Sequence, residues 1–209
     1  MVNRLELEAK QKLLNREISE ADFKKYESYI GEIFSAFGMD LKSESTKESP
    51  RRFLDALFEI TSGYDGDPKL IKAFESECSG INSSCSTNQI VQGPIHFYSL
   101  CEHHGLPFFG SAYVGYIANE DIIGISKLTR LVRLFSNRFT VQERIGQEVA
   151  DLLIEMVNPL GVGIYIEARH LCMEMRGAKG NSPLTRTTVF RGKYSEDPNL
   201  RNEFLKLCR

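Results

Sequence analysis

The sequence lacks the features of membrane, secreted and polyanion-coating proteins. No apolar run approaches the roughly 18 residues that a membrane-spanning helix needs. Residues 1–20 carry charges throughout and contain no apolar core of a signal peptide. The net charge is only −2, so no basic excess favours a nucleic-acid or membrane surface. We therefore expect a cytoplasmic protein.

Cysteine is scarce and odd in number, with five residues in the chain. An odd count without an export signal favours reduced thiols over a disulfide framework. A disulfide between Cys78 and Cys85, in a polar Ser/Asn/Gly segment, is a weaker alternative that the sequence leaves open. We interpret Cys208, near the end of the chain, as incidental.

The 209 residues, 42% of them apolar, suffice for one core with a helical extension. We expect an N-terminal helical region with a connecting loop over residues 1–88 and a second domain over 89–209. Residues 4–36 show helical spacing, broken near Ile18, where Ser19 resembles an N-cap. Another helix follows Pro50 and ends at Ser62-Gly63, and the Gly-, Ser- and Asn-rich segment 65–88 predicts a loop.

After Gln89 the pattern changes. Stretches rich in β-branched and aromatic residues predict strands at 89–100, 108–118, 162–175 and 184–194. Helical spacing predicts helices at 126–137, 140–157 and about 198–208. This order predicts an α+β fold, in which an antiparallel four-stranded sheet carries a helix pair on one face (ββααββ).

Two short clusters contain residues that bind metals. Cys101-Glu102-His103-His104 joins the first two predicted strands, and His170-Leu171-Cys172 lies 66 residues beyond His104. Two thiolates and one imidazole, from Cys101, Cys172 and His104, suit Zn²⁺ and leave a fourth position open, as in catalytic sites.

The histidines beside these ligands are candidate proton carriers. Along a continuous strand, His170 and Cys172 would share one face, so that one could ligate while the other contacts a substrate. His103 would likewise carry protons beside the candidate ligand His104. The alternatives are ordinary buried cysteines or a structural zinc, which needs a fourth ligand from Cys78, Cys85 or His96.

A basic segment follows Gly124. Ser126 is placed as the N-cap of a helix whose first turn carries Lys127 and Arg130, and such a helix start attracts anions. Arg176 would lie on the strand face of Cys172. Beside a hydrolytic metal these residues predict a phosphate site, whereas alone they would suggest a solvated helix face.

Glu143 has two interpretations. Thr140-Val-Gln-Glu143 has the form of a capping box, in which Glu143 stabilises a helix start. Alternatively, its carboxylate accepts two hydrogen bonds from the N–H pair of a guanine. The spacing does not choose between them.

Together these residues resemble the GTP cyclohydrolase I family. The resemblance runs from about Ser49 to Leu205 and is strong in FYSLCEHHGLPFFG (97–110), IGISKLTRLV (123–132) and NPLGVGIYIEARHLCMEMRG (158–177). It implies the tunnelling fold, five-membered rings stacked as a homodecamer, and active sites at subunit junctions. It also implies hydrolysis of GTP with release of formate and rearrangement to 7,8-dihydroneopterin triphosphate, the first step of pterin biosynthesis.

The resemblance also implies a role for each site residue. Zn²⁺ would be held by Cys101, His104 and Cys172. Proton transfer and ribose rearrangement would involve His103, His170 and Ser126. Substrate GTP would contact Glu143 and Gln142 through its guanine, and Lys127, Arg130, Arg176 and Arg52 through its ribose and triphosphate.

Two positions depart from the family pattern, Asp55 where a basic residue is usual and Pro183 where a small polar or basic one is usual. They bear on phosphate affinity and subunit packing. Two other functions fit the same clusters less well: a tunnelling-fold nitrile reductase with a nucleophilic cysteine, and a non-catalytic module that binds purine nucleotides.

Overall fold

The structure is a computed structural model that describes residues 16–71, 74–75, 89–119, 121–179 and 183–208. It shows a mixed α+β chain, as the sequence predicts. The first 15 residues and the Cys78–Cys85 pair lie outside the described residues. No helix among the described residues combines the length and apolar content that crossing a membrane requires.

In the N-terminal region, the described residues form two helices. Helix α1 spans Glu20–Ala36, and the Ser19 hydroxyl caps it by accepting a hydrogen bond from the Asp22 amide, which confirms the predicted N-cap. Helix α2 spans Ser49–Ile60 with Pro50 in its first turn. The helices pack through aromatic pairs, Phe34 on Phe53 and Phe23 on Phe58. Two 3₁₀ turns follow, at Ser62–Asp65 and Pro68–Ile71.

The sheet is built from four long antiparallel strands and one short parallel strand. The long strands are β2 (Gln89–Cys101), β3 (Pro107–Ile117), β6 (Gly161–His170) and β7 (Thr185–Gly192). Strand β5 (Phe139–Thr140) adds to the expected four because it pairs in parallel with the end of β2. Within the described part of the chain, the order across the sheet is β5-β2-β3-β6-β7. A separate two-residue pairing joins β1 (Phe74–Glu75) and β4 (Asp121–Ile122).

One face of the sheet is covered by helix α3 (Ile125–Ser136) and helix α4 (Gln142–Val157). Their buried apolar residues recur at three- and four-residue intervals, including Leu128, Leu131, Ile145 and Val149. Helix α4 lies very close to the sheet, since a Cβ on Gly146 would stand 3.1 Å from Val189. This layer forms the main hydrophobic core.

Three short helices complete the described chain: α5 (Leu171–Glu174), α6 (Lys193–Glu196) and α7 (Pro198–Leu207). Phe204 of α7 packs with Tyr194 and Ile117 in a second apolar cluster, which also contains Cys208. The Asp197 carboxylate caps α7 by accepting from the Asn199 amide.

Several predicted boundaries are wrong. The strand predicted over 184–194 ends at Gly192, because α6 begins at Lys193. The segment 65–88, predicted as a loop, contains the 3₁₀ turn Pro68–Ile71 and strand β1 in its described part. The strand predicted over 162–175 ends at His170, where the chain turns into α5. Helix α4 begins at Gln142 and not at 140, because Thr140 pairs with Cys101 in the sheet. Helix α3 begins at Ile125, so its N-cap is Gly124 and not Ser126.

Candidate active site

Cys101 and His104 are brought together by a tight turn at the end of β2. The Cys101 carbonyl accepts hydrogen bonds from the His104 amide at 3.2 Å and the Gly105 amide at 2.8 Å. Gly105 has φ +66°, a left-handed conformation that glycine adopts without strain. The turn leaves Cys101 buried and places its Sγ 3.7 Å from Nδ1 of the exposed His104.

Cys172 reaches the same point from a helical turn. Because β6 stops at His170, the expectation that His170, Cys172 and Arg176 share a strand face is wrong. The sheet register nevertheless sets His170 opposite Phe108, just beyond the Cys101 turn. The ligand atoms of Cys101, His104 and Cys172 all lie within 4.8 Å of one another.

The chemistry of this donor set fits a divalent metal ion. Burial raises the pKa of the Cys172 thiol, and so does the neighbouring Cys101, because two thiolates this close repel each other. A bound cation would remove that penalty and hold both sulfurs deprotonated. His96, a candidate fourth ligand, is outside this group and contacts the Ser111 hydroxyl at 3.2 Å.

His103 lies beside the three candidate ligands. It is exposed, and its Nδ1 is 3.8 Å from the Cys101 sulfur. The rings of His103 and His104 are 6.1 Å apart and nearly perpendicular. The structure therefore places a second imidazole at the rim of the metal-ligand group, where it can meet a substrate.

His170 is held by two neighbours. Its ring stacks on Phe108 with a centroid distance of 4.7 Å and an interplanar angle of 1°. Its Nε2 is 2.9 Å from the side-chain oxygen of Gln142. Burial lowers the pKa of His170, while the nearby carboxylates of Glu143 and Glu174 oppose that shift.

Gln142 does not occupy the place that the sequence suggests. It was expected to contact guanine, but its side chain is fully buried and its amide is bonded to protein groups. A purine cannot reach this side chain in the arrangement observed.

Glu143 is exposed in the first turn of α4. The expected capping box is absent, because the N-cap is Val141 and the Thr140 hydroxyl contacts the Val141 carbonyl. Within the described part of the chain, Glu143 forms no hydrogen bond or ion pair. The capping-box interpretation of Glu143 therefore fails, whereas the guanine-binding interpretation agrees with an exposed carboxylate.

An ion pair that the sequence analysis missed fixes the Cys101 turn to α4. Arg144 donates two hydrogen bonds to the Glu102 carboxylate, one of them at 3.0 Å. The hydrogen bonds to Arg144 lower the pKa of Glu102. The two residues are 42 positions apart, so no local pattern could have revealed this contact.

Arg130 and Arg133 of α3 line a separate cleft of about 710 Å³. Ser126 is exposed on its wall, while Lys127 in the same helical turn is buried. Arg130 lines the cleft too and donates to the Asp67 carboxylate at 2.8 Å. The floor is completed by Gln92 of β2, which donates to Thr129.

The start of α3, with Ser126 and Arg130, lies towards the opposite end of the sheet from Cys101, although the cleft itself continues along α3 to Asn137. Helix α3 starts beside Gln92, and the chain after it returns to the other end of β2, where the Arg138 carbonyl accepts from the Leu100 amide. At about 3.3 Å per residue, the strand from Gln92 to Cys101 spans roughly 30 Å. One chain therefore does not bring Ser126, Lys127 and Arg130 to the metal-ligand group.

The two remaining arginines differ in their placement. Arg176 is exposed, and its charge partly offsets the rise that burial and Cys101 cause in the pKa of Cys172, so it lies on the metal-ligand side. Arg52 is on α2 and forms an ion pair with Glu48 at 2.6 Å. Asp55, the departure from the family pattern, pairs with Arg51 on the same helix.

Comparison with known proteins agrees with this geometry. The family model of GTP cyclohydrolase I matches residues 26–209. The chain belongs to the GTP cyclohydrolase I family. A GTP cyclohydrolase 1 of Helicobacter pylori is 38% identical over 186 residues, covering 88% of this chain and 99% of the relative. One of Leptospira biflexa is 41% identical over 184 residues, covering 88% and 97%.

Structural comparison adds a more distant likeness. An archaeosine synthase QueF-Like in the apo form aligns with a TM-score of 0.41 at 14% identity, covering 51% of this chain and 94% of that one. This structural similarity is too low to support a conclusion about the present chain.

Proposed function

We propose that this protein is a zinc-dependent GTP cyclohydrolase I that converts GTP to formate and 7,8-dihydroneopterin triphosphate, opening pterin biosynthesis. The observation that carries the proposal is the convergence of Cys101, His104 and Cys172 beside His170, in a chain that belongs to this family. Three protein ligands leave one coordination position for a reactant.

Zn²⁺ would be held by the sulfurs of Cys101 and Cys172 and by the His104 imidazole. When bound, it would supply Lewis acidity that lowers the pKa of water towards neutrality. His103 is an exposed imidazole beside this group, suited to moving protons during rearrangement of the ribose. The Ser126 hydroxyl of another subunit would assist that rearrangement.

His170 is the proton donor to N7 of the guanine when the imidazole ring of the guanine opens. Its stacking on Phe108 and its bond to Gln142 hold the ring in one orientation. Proton transfer needs such a fixed donor within hydrogen-bonding distance of the reacting atom.

Glu143 recognises the guanine. Its exposed carboxylate stands in the first turn of α4, near enough to the His170 imidazole to oppose the lowering of its pKa by burial. Two carboxylate oxygens match the adjacent N–H groups of guanine. Lys127, Arg130, Arg176 and Arg52 contribute to triphosphate and ribose binding.

The separation of the two ends of the sheet favours an oligomer. Lys127 and Arg130 can join the metal-ligand group only if a neighbouring subunit supplies them, which is the arrangement of a head-to-tail ring. In the described part of the chain, the outer edge of β7 has no strand neighbour. Several apolar side chains of α1 and its vicinity are exposed, among them Tyr29, Ile33 and Phe37.

We accordingly assign the chain to the tunnelling fold, assembled as a homodecamer of two stacked five-membered rings. The catalytic domain would comprise residues 89–209, with 1–88 as a helical region and connecting loop. A cytoplasmic location suits its free thiols.

Incubation of the zinc-loaded protein with GTP tests the function. We expect one formate per GTP consumed and, after oxidation, the fluorescence of neopterin phosphate. Bound GTP that is not consumed would instead indicate a nucleotide-binding module, and no reaction or binding would refute the proposal.

A further inference from the structure

Gln142 has its side-chain amide fully engaged inside the protein. Its Nε2 donates to the carbonyls of Ile166 at 3.1 Å and Thr185 at 3.0 Å, and it lies 3.2 Å from the Thr187 hydroxyl. These partners belong to the neighbouring strands β6 and β7. They fix the orientation of the amide, because the reverse orientation would set its oxygen against two carbonyl oxygens.

The orientation of the amide determines which atom of Gln142 faces His170. The amide oxygen of Gln142 faces His170 Nε2 at 2.9 Å. An amide oxygen only accepts hydrogen bonds, so His170 must carry a proton on Nε2. Nδ1 is then the nitrogen left to exchange a proton with a substrate. The parallel ring of Phe108 restricts rotation of the imidazole.

We propose that Gln142 is a positioning residue, which anchors His170 to β6 and β7. It thereby keeps the proton-exchanging nitrogen of His170 turned towards the guanine of the substrate. This inference rests on the proposed function, in which His170 is the proton donor. It replaces a role in guanine contact, which the complete burial of the Gln142 side chain does not permit.

The first test is Gln142→Met, which keeps most of the side-chain volume and removes the amide. Misplacement of a catalytic group through its supporting residue typically costs about 10–100-fold in rate, so we expect kcat to fall by that factor. KM for GTP and the zinc content should change little. Gln89→Met is the matched control, because Gln89 bonds to Tyr194 away from the site.

A double-mutant cycle separates positioning from general support of the fold. If Gln142 acts through His170, Gln142→Met should not lower kcat further in a His170→Ala background. An equal loss of kcat in both backgrounds would overturn the proposal. So would an unchanged kcat in the single variant.

Gln142→Glu supplies a second variant should Gln142→Met fail to fold. A carboxylate still accepts from His170 but cannot donate to both carbonyls, so it weakens the anchor while retaining the bond to the histidine. We expect Gln142→Glu to retain more kcat than Gln142→Met despite a melting temperature that is no higher. Loss of kcat in proportion to loss of stability across both variants would contradict the proposal.

A structural readout distinguishes this inference from the proposed function. In a crystal structure of Gln142→Met, the His170 ring should leave its parallel stack on Phe108, whatever the protein does with GTP. An unmoved ring would refute the positioning role alone. A wild-type protein that binds zinc but does not convert GTP would refute the proposed function and leave this readout interpretable.

Discussion

The two ends of the central sheet differ in how much of an active site one chain builds. At the Cys101 end, three candidate metal ligands and two further histidines meet around a turn, a strand end and a helical turn of the same chain. At the Gln92 end, Ser126 and Arg130 line a cleft whose acidic neighbour Asp67 already pairs with the arginine. The Cys101 end thus gathers its candidate metal ligands within one chain, whereas no cysteine or histidine among the described residues lines the cleft at the Gln92 end.

This difference shows why the complete set of site residues need not converge in a subunit. A metal ligand group requires atoms within a few ångströms of one another, so local turns and adjacent strands build it best. A triphosphate extends the substrate well beyond its base, and charges from another surface can bind its far end. In the proposed oligomer, subunit assembly would therefore complete the site.

The largest expected effect comes from the metal end. Cys101→Ser, His104→Ala and Cys172→Ser should each lose zinc and all ring opening, because two remaining ligands are too few to hold the ion. Metal analysis and formate release measure this. Cys208→Ser is the control, since the Cys208 thiol bonds to the Phe204 carbonyl in the second apolar cluster. Near-stoichiometric zinc with normal activity in any ligand variant would refute the assignment.

The next effect separates proton transfer from metal binding at the same end. His170→Ala should retain zinc yet lose about 10²–10⁴-fold in formate release, the usual worth of general acid–base catalysis. Zinc content and single-turnover formate release are the measurements. If this variant lost its zinc, His170 would be a ligand and the division of roles would be wrong.

A mixed oligomer tests whether the two ends belong to different chains. Arg130→Ala alone should lower activity at limiting GTP about 10–100-fold, the usual cost of a lost charged hydrogen bond. Co-expression with Cys172→Ser in equal amounts should restore activity to about a quarter of wild type, because a random ring pairs an intact metal end with an intact basic end at that frequency. Purified hetero-oligomers would be compared with each parent.

The control for this experiment is a mixture in which both substitutions are carried by one chain and the partner chain is wild type. If the two ends of one chain formed one site, the two single variants would not complement each other. Their mixture would then be no more active than the parents.

An effect of similar size, but confined to GTP binding, is expected at Glu143. Glu143→Gln replaces one acceptor oxygen with a donor that faces the guanine N–H groups, a mismatch worth about 1–3 kcal/mol, or roughly ten- to a hundredfold in GTP affinity. The melting temperature should barely change, since Val141 and not Glu143 stands at the helix cap. Calorimetric binding and thermal unfolding measure the two quantities. Intact affinity with a lowered melting temperature would make Glu143 structural.

Local signals in the sequence predicted most elements. The helices at Glu20–Ala36, Ser49–Ile60 and Pro198–Leu207 have capping residues or prolines at their starts and regular apolar spacing. Strand composition placed β2 and β3 to within about one residue. The boundary errors occur where a long-range contact competes with a local signal, as when Thr140 joins the sheet instead of capping α4.

The sequence by itself determined which chemistry is present. Residue types and their spacing are enough to recognise the clustered cysteines and histidines, the basic residues after Gly124 and the family motifs. Tertiary structure decided which atoms meet. The register of β3 with β6 sets His170 against Phe108, and strand β7 brings Thr185 to Gln142, 43 positions away. The bond between Glu102 and Arg144 and the distance from Gln92 to Cys101 likewise arise from packing. Contacts between distant residues depend on how the whole sheet and its helices fit together, and no local pattern records that fit.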